Sequence, residues 1–276
     1  MIFKDCHPGL SLQSIVEVYR LRHFIIPKHV NILPKPYPTR PEQCMAFYIK
    51  GFEITEACSL NKKQRRPRAV ISGQYTQLIN RYSGSSEFLM IQVVFLPGAL
   101  FRLTGIPAKE FQDQHIDLEL IFPVECKRIL EKLNNCSDYG KMIEVIEEFL
   151  IRIHLQSRRE EHRADQIFRI MLQHPGKYSI NWLAREACLS HRQFERKAYD
   201  LVGISPKLFA RISRFIQSYD LKLKNKEWDW LSIAIMCNYH DYQHLAKDYK
   251  EFSNLNPNAL FTAESYALER RLGLHS

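Results

Sequence analysis

The chain has 276 residues, of which 45% are hydrophobic and 25% are charged, a composition that excludes a disordered or fibrous protein and is typical of an ordinary globular one. This length allows one large domain or two of ordinary size, and we expect two. The 39 Lys and Arg against 30 Asp and Glu give a formal net charge of +9, which favours a polyanion or an anionic surface as partner.

The amino-terminal segment, MIFKDCHPGLSL, lacks the uninterrupted apolar core of a signal peptide. The longest apolar run, FLMIQVVFLPGALF, is interrupted by Gln92 and Pro97 and is too short to span a bilayer. The seven cysteines form no C-x-x-C pair and are odd in number, a pattern that suits free thiols in a reducing cytosol. We therefore predict a cytoplasmic protein without a membrane partner.

Residues 1–125 carry nearly all of the strand signals, in CMAFYIKGFEIT, RAVISGQYTQLINRYSG and EFLMIQVVFLPG. Short strands at this spacing predict a small antiparallel barrel or sandwich. Residues 27–41 hold five prolines and are predicted to form an extended arm or loop. The neighbouring basic stretch, NKKQRRPR, is predicted to be a solvated loop, with a specific anion site as the alternative.

Residues 126–157 change to a helical pattern in which Ile143, Ile146, Leu150 and Ile153 form one apolar stripe. The stripe fits either packing onto the β-rich part or a dimer seam, and two heptads do not decide between them. The charged stretch QSRREEHR then indicates a linker. The chain beyond it carries helical signals and no convincing strand.

Two segments of this helical region resemble each other, SINWLAREACLSHRQFERKAYDLVGISP and DWLSIAIMCNYHDYQHLAKDYKEFSNLNP. Each has a short helix in which Ala follows a large aliphatic residue, then a tight turn, a capping residue and a second helix. That order is typical of a helix-turn-helix. Ser190 and Gln193 form a predicted capping box, so the second helix of the first unit should begin at His191. Asp241 is an equally good N-cap in the second unit.

The stretch HDYQH, residues 240–244, raises a metal-dependent enzyme as an alternative, because it is close to the zinc motif H-E-x-x-H. An N-cap at Asp241 places His240 outside the helix, whereas both motif histidines must lie on one continuous helix. Asn238 upstream indicates a tight turn, since Asn accepts a left-handed backbone. We therefore expect no metal ligand, catalytic residue or cofactor, although an enzyme site assembled inside the barrel stays open.

The second helix of each unit should turn its polar face outward. The predicted outward residues are Arg192, Glu195, Arg196 and Lys197 in the first unit, and Tyr242, Gln243, His244, Lys247 and Lys250 in the second. Such faces suit a DNA major groove, where Arg pairs with guanine and Gln with adenine. A helix that begins at Pro206 separates the units, and its ~18 residues span roughly 27 Å, against about 34 Å between successive major-groove openings.

Residues 163–262 resemble the DNA-binding domain of AraC/XylS-family bacterial transcription regulators, through LAREACLS, RISRF, IAIMCNYHDYQHLAKDYKEF and the closing Asn-Pro. The chain departs from the family pattern at two turn glycines, replaced by Cys188 and Asn238, and at a Phe-Lys pair that is Tyr249-Lys250 here. The amino-terminal part is more weakly similar to cupin-like sensor domains, through FLPGALFRLTGIPAKEF and ISGQYTQ. The predicted fold is α+β: a β-rich cupin-like part in residues 1–125, a helical segment in 126–157, a double helix-turn-helix in 158–262 and a tail in 263–276.

The resemblance implies promoter DNA and RNA polymerase as partners. The base contacts would come from Arg192, Glu195, Arg196, Tyr242, Gln243, His244 and Lys247. We expect Lys250 to contact phosphate. A small-molecule effector at the amino-terminal part and a homodimer are further expectations. The alternative to DNA binding is a protein-interaction module, and salt dependence of binding separates the two.

Overall fold

The computed structural model describes residues 1–27, 35–57 and 62–265, which form a β-rich part followed by an α-helical part. The predicted α+β class is confirmed. Residues 28–34 of the proline-rich stretch, residues 58–61 and residues 266–276 of the predicted tail lie outside the described residues. Within the described residues, no helix is both long enough and apolar enough to cross a membrane.

The β-rich part contains two antiparallel sheets. Its strands are β1 Ile2–Cys6, β2 Val16–Ile25, β3 Lys35–Tyr37, β4 Gln43–Lys50, β5 Glu53–Ala57, β6 Lys62–Arg65, β7 Ala69–Ser72, β8 Ile79–Ser83, β9 Glu87–Phe95 and β10 His115–Asp117. The first sheet has the order β1-β2-β9-β4-β7-β10 and the second β3-β8-β5-β6. Because each sheet ends in short edge strands that do not pair with each other, the predicted barrel is not closed.

The basic stretch at residues 62–65 is a strand, so the prediction of a loop was wrong there. Strand β6 pairs with β5 in an antiparallel register that includes Ile54 opposite Arg65. It is the last strand of its sheet, and lysine and arginine are common on edge strands because their charges discourage pairing with another chain.

The helical part contains the two helix-turn-helix units and a core of its own. The α-helices of the described residues are α1 Ala99–Thr104, α2 Pro123–Asn134, α3 Tyr139–Ser157, α4 Arg163–Gln173, α5 Ile180–Glu186, α6 His191–Leu201, α7 Pro206–Lys224, α8 Trp230–Met236, α9 Tyr242–Ser253 and α10 Pro257–Ser265. Helix α7 lies at the centre, with Phe209, Ile212, Phe215 and Tyr219 buried. The tail was predicted to start at residue 263, but helix α10 continues to Ser265.

The stripe on α3 packs against the β-rich part of its own chain. Ile146, Leu150 and Ile153 are at most 1% exposed and share one hydrophobic core with residues of the first sheet. The ring centroids of Phe47 on β4 and Phe149 on α3 are 6.3 Å apart, edge to face. This packing accounts for the stripe, so the stripe gives no support to a dimer seam.

Buried polar contacts join the β-rich part to α4 and α9 of the helical part. Arg102 on α1 donates a hydrogen bond to Asp165 on α4 at 2.7 Å, and the side chains are 5% and 1% exposed. The Thr39 hydroxyl donates to the backbone oxygen of Phe252 at the end of α9, at 3.2 Å. Gly203 follows α6 with φ +83°, and a Cβ there would lie 2.9 Å from the backbone oxygen of Ala108.

The ion pair between Arg20 and Glu42 in the β-rich part should make the stability of the fold depend on pH. The Arg20 guanidinium donates to both carboxylate oxygens of Glu42 at 2.7 and 2.8 Å. Burial raises the pKa of Glu42, but Arg20 and then Arg40 outweigh burial and hold this pKa at about 2. Because the folded pKa lies below the ordinary value of 4.5, the ionised carboxylate stabilises the fold above pH 4.5. That contribution is lost as the pH falls toward 2.

We expect Glu42→Gln to lower the free energy of unfolding at pH 7 by about 2–3 kcal/mol. Urea denaturation at pH 7 and pH 3 tests this expectation. The difference between the variant and the unmodified chain should shrink at pH 3, because Glu42 of the unfolded chain, with its ordinary pKa of 4.5, is then protonated and must lose that proton on folding. An equal difference at both pH values would show that Glu42 acts through its shape and not its charge.

Candidate nucleic-acid interface

The first helix-turn-helix unit consists of α5, a four-residue turn and α6. The Ser179 hydroxyl accepts from the backbone N–H of Trp182 and caps α5. Cys188 then takes a left-handed backbone with φ +56°, and the N–H of Leu189 donates to the oxygen of Ala184 at 3.0 Å. The predicted capping box between Ser190 and Gln193 is present. These local bonds start α6 at His191, as the sequence predicts.

The second unit, α8, its turn and α9, repeats this geometry. Asn238 has φ +59°, and the N–H of Tyr239 donates to the oxygen of Ala234 at 2.9 Å, the same five-residue offset as in the first unit. The Asp241 carboxylate accepts from the N–H of His244 at 2.8 Å and caps α9. The two residues in place of the expected glycines therefore both supply the left-handed turn.

His240 precedes α9, so the two histidines of HDYQH do not share a helix. Their ring centroids are 6.0 Å apart. Among residues 1–27, 35–57 and 62–265, no three His, Cys, Asp or Glu side chains are placed to hold a metal ion. The Asp241 carboxylate is engaged in capping, and the backbone hydrogen bond from His244 lowers its pKa.

The predicted inward faces of α6 and α9 are buried as expected. These residues are Phe194, Ala198 and Leu201 on α6, and Leu245, Tyr249 and Phe252 on α9. Phe194 stacks on Phe168 of α4 with ring centroids 5.3 Å apart, and Tyr249 meets Phe215 of α7 at 4.8 Å. The Tyr249 hydroxyl has Ser218 at 3.2 Å as hydrogen-bond partner, which explains how tyrosine fits where the family typically has phenylalanine.

Seven of the nine predicted DNA-binding residues are exposed. They are Arg192, Glu195, Arg196, Gln243, His244, Lys247 and Lys250. Tyr242 is half-buried against the helical core. Lys197 is also half-buried, and its ammonium lies 5.4 Å from the Phe101 ring of the β-rich part. Lys250 donates to the backbone oxygen of Asn254 at the end of its own helix, which leaves its remaining protons free for phosphate.

Tyr199 also lies on the outward face of α6, although it is not among the predicted DNA-binding residues. Its side chain is 41% exposed. It follows Arg192 by seven residues and Arg196 by three, so it lies on the same helix face. The spacing from Arg192 and Arg196 could have predicted that Tyr199 is exposed on this face. A tyrosine in an amphipathic helix, however, is more commonly assigned to the core.

Asp248 holds α9 on α7. It is 4% exposed and accepts hydrogen bonds from Arg211 at 2.7 Å, from Arg214 at 3.5 Å and from the Tyr239 hydroxyl at 3.1 Å. The two arginines of the connecting helix therefore bind a carboxylate of the second unit. They fix the position of α9, and with it the residues that α9 presents to solvent.

A family model described as a domain of unknown function, DUF6597, matches residues 4–117, the β-rich part up to the end of β10. A search of curated proteins gives no match. Among solved structures, ToxT from Vibrio cholerae strain SCE256 with a bound unsaturated fatty acid has a TM-score of 0.49 at 12% identity, covering 90% of this chain and 97% of that chain.

ToxT from Vibrio cholerae O395, bound to (E)-4-(8-methylnaphthalen-1-yl)but-3-enoic acid, has a TM-score of 0.49 at 10% identity, covering 89% of this chain and 99% of that chain. The AraC-like transcriptional activator CuxR has a TM-score of 0.28 at 13% identity and covers 73% of this chain and 86% of that chain.

Proposed function

We propose that this chain is a sequence-specific DNA-binding transcription regulator of the AraC/XylS type. The single observation that carries the proposal is the repeated geometry of the two units, with the same turn hydrogen bond, a side-chain N-cap and an exposed polar face on the second helix. One such unit is a common structural motif. Two of them around one connecting helix give a chain with two DNA-reading helices.

Each reading helix enters a major groove with its first turns toward the bases. Arg192 and Arg196 on α6 present guanidinium groups that can pair with guanine, and Gln243 on α9 presents an amide that can pair with adenine. Glu195 suits a cytosine amino group. Helix α7 has 19 residues and spans ~28 Å. This length supports the placement of the two reading helices in adjacent grooves, which open about 34 Å apart.

Phosphate contacts come from the basic residues beside the reading faces. Lys247 and Lys250 are exposed on α9. Lys197 reaches DNA only by leaving the Phe101 ring, so we assign it a weaker role than the other two. Because each neutralised phosphate releases counterions, the logarithm of the binding constant should fall with the logarithm of salt concentration, with a slope of about −0.9 per contact. A protein-interaction module would show no such slope with duplex DNA.

Selection of bound duplexes from a random pool tests the proposal most directly. The expected product is a motif in two parts whose centres lie about one helical turn apart. Enrichment of a single short element would mean that only one unit reads DNA. A pool without enrichment would contradict sequence-specific binding.

We predict that Arg196→Ala weakens binding to the selected site by about 1–3 kcal/mol and relaxes the preference at one base position. Titrations of the selected duplex and of single-position variants measure both effects. Arg128→Ala is the matched control, because Arg128 is also an exposed helical arginine but lies on α2 in the β-rich part. Equal weakening on all sequences would assign Arg196 to a phosphate.

The remaining parts of the proposal concern regulation. We propose that the chain acts in the bacterial cytoplasm and recruits RNA polymerase to the promoter. We also propose that an effector at the amino-terminal part controls its DNA binding. The contacts of Arg102 with Asp165 and of Thr39 with Phe252 support control by an effector. They connect the β-rich part to α4, which packs on α6 through Phe168 and Phe194, and to α9 of the second unit. A homodimer would use a surface other than the buried stripe of α3, and light scattering of the full chain tests it.

A further inference from the structure

Residues 174–178 form a bridging loop between α4 and α5 that contacts both helix-turn-helix units. Nδ2 of Asn238, the turn residue of the second unit, donates a hydrogen bond to the backbone oxygen of Pro175 at 3.1 Å. At its other end the bridging loop leads directly into Ser179, the N-cap of α5 in the first unit. The loop therefore lies between the two units.

Backbone contacts fix the bridging loop on the second unit. Gly176 has φ +73°, and a Cβ at this position would lie 3.3 Å from Cδ of Arg214 and 3.6 Å from Cβ of Asn238. Arg214 in turn donates to the backbone oxygen of Asn238 at 3.2 Å. The N–H of Lys177 donates to the backbone oxygen of His174 at 3.2 Å and closes a turn. Because the loop is already ordered, little conformational entropy is lost when it binds a ligand.

Stacked aromatic rings lie beside the exposed lysine of the bridging loop. The rings of Tyr178 and Trp182 stack with centroids 4.2 Å apart and an angle of 17° between their planes. Both residues pack against the helical core and stay half-exposed. The Lys177 ammonium lies 5.4 Å from the Tyr178 ring, and its side chain is exposed.

Two donors of this surface have no partner within residues 1–27, 35–57 and 62–265. In that part of the chain, no carboxylate lies within ion-pair distance of the Lys177 ammonium, and no acceptor takes a hydrogen bond from the indole N–H of Trp182. An ammonium carries three protons and no acceptor, and an indole nitrogen is a donor only. A surface with these two groups suits an anion that offers several oxygen acceptors.

The place of the bridging loop in the helical part determines which part of a duplex it would meet. The loop is bound to Asn238, three residues before Asp241, the N-cap of α9. It therefore lies near the end of α9 whose first turns would point toward the bases. On one face of a duplex, two successive major-groove openings are separated by a minor groove with a phosphate strand on each side. A loop between two reading helices faces this central minor groove.

We propose that the bridging loop binds the DNA backbone beside the central minor groove, between the two half-sites. The Lys177 ammonium contacts a phosphate there, and the indole N–H of Trp182 donates to the same strand. This inference rests on the proposed function, since it needs both units on one duplex. The contact positions the chain on the DNA without reading bases, because phosphate contacts carry no direct sequence information.

Lys177→Ala should weaken binding to the selected duplex and to its single-position variants by the same factor, about three- to tenfold at about 0.15 M salt, and should reduce the salt slope by about 0.9. Fluorescence anisotropy titrations of the full chain over a series of salt concentrations measure both effects. Lys177→Arg keeps the charge and should retain most of the affinity. The matched control is Lys141→Ala, an exposed lysine on α3, which should change neither quantity.

Trp182→Phe keeps an aromatic ring against Tyr178 but removes the indole N–H. We expect it to weaken binding by about two- to tenfold, the effect of one lost hydrogen bond to a charged acceptor. Unchanged affinity in this variant would refute the assignment of Trp182 to the backbone contact.

Neutral methylphosphonate linkages, placed one at a time along the selected duplex, locate the phosphate that Lys177 contacts. A methylphosphonate beside the central minor groove should weaken binding of the unmodified chain. The same linkage should have a smaller effect on Lys177→Ala, because the variant has already lost that contact. Coupling of Lys177 to a phosphate at an outer end of the site, or to none, would refute the proposed position.

The same measurements separate this inference from the proposed function. An unmodified chain that shows no sequence preference for any duplex would refute both. A sequence-specific chain whose Lys177→Ala variant keeps its affinity and its salt slope would refute the role of the bridging loop alone.

Discussion

Asp248→Ala is expected to lower the free energy of unfolding by about 3–5 kcal/mol. The Asp248 carboxylate is buried between α7 and α9, where it accepts from Arg211, Arg214 and the Tyr239 hydroxyl. Alanine would leave the buried Tyr239 hydroxyl without an acceptor and would remove a buried carboxylate partner of two arginines, although Arg211 keeps Glu251 and Arg214 keeps the backbone oxygen of Asn238; breaking such a buried pair is strongly destabilising. Urea denaturation of the full chain at pH 7, followed by circular dichroism, measures the loss.

Glu251→Ala is the matched control for this prediction. Glu251 binds the same arginine, with its Oε2 2.6 Å from Nη2 of Arg211, but its side chain is 47% exposed. Solvent replaces the lost contact at such a position, so we expect a loss of less than about 1 kcal/mol. Similar losses in the two variants would mean that the burial of Asp248 does not matter.

Asp165→Ala is expected to cost a similar 3–5 kcal/mol and to separate the unfolding of the β-rich part from that of the helical part. Within the part of the chain that the structure describes, Asp165 and Arg102 form the most buried ion pair between the two parts. Removal of the carboxylate leaves the Arg102 guanidinium buried, with the backbone oxygen of Ser14 as an acceptor at 2.7 Å. Differential scanning calorimetry should show one transition become two.

Two further variants distinguish the charge of Asp165 from its packing. Glu161→Ala removes a more exposed carboxylate 3.9 Å from Arg102, and we expect it to cost less than about 1 kcal/mol. The double variant Arg102→Met with Asp165→Leu removes both charges and should recover most of the stability lost in Asp165→Ala. If the double variant were no more stable than the single one, packing and not the unpaired charge would explain the loss.

The helix-turn-helix units could be predicted from the sequence because their signals are local. A cap, a turn residue and an apolar spacing within about 25 residues specify each unit, and Ser190, Asp241 and Asn238 all have the predicted roles. The arrangement of the strands could not be predicted in this way. Pairings such as β2 with β9 and β7 with β10 join distant segments, and no local signal states whether the sheets close into a barrel.

The contacts that position the two candidate DNA-binding helices could not be predicted from the sequence either. Arg102 and Asp165 are 63 residues apart, and Arg40 and Asp220 are 180 residues apart. A charged residue on a helix is usually solvated, so Asp248 gave no sign of its buried role. The exposed residues of α6 and α9 followed from helical spacing, whereas the half-buried state of Lys197 depends on a phenylalanine of the other part.

The shared core around α7 has a consequence for the proposed DNA binding, namely for the spacing of the two half-sites. Helices α6 and α9 both pack on α7, a single helix of 19 residues. The angle between α6 and α9 is therefore fixed when the chain folds. One extra base pair between the two halves of a binding site would rotate one half by about 34°, given 10.5 base pairs per turn. The duplex would then have to untwist to meet both helices, and this torsion costs energy. We therefore expect the chain to bind most tightly to DNA with one fixed distance between the half-sites.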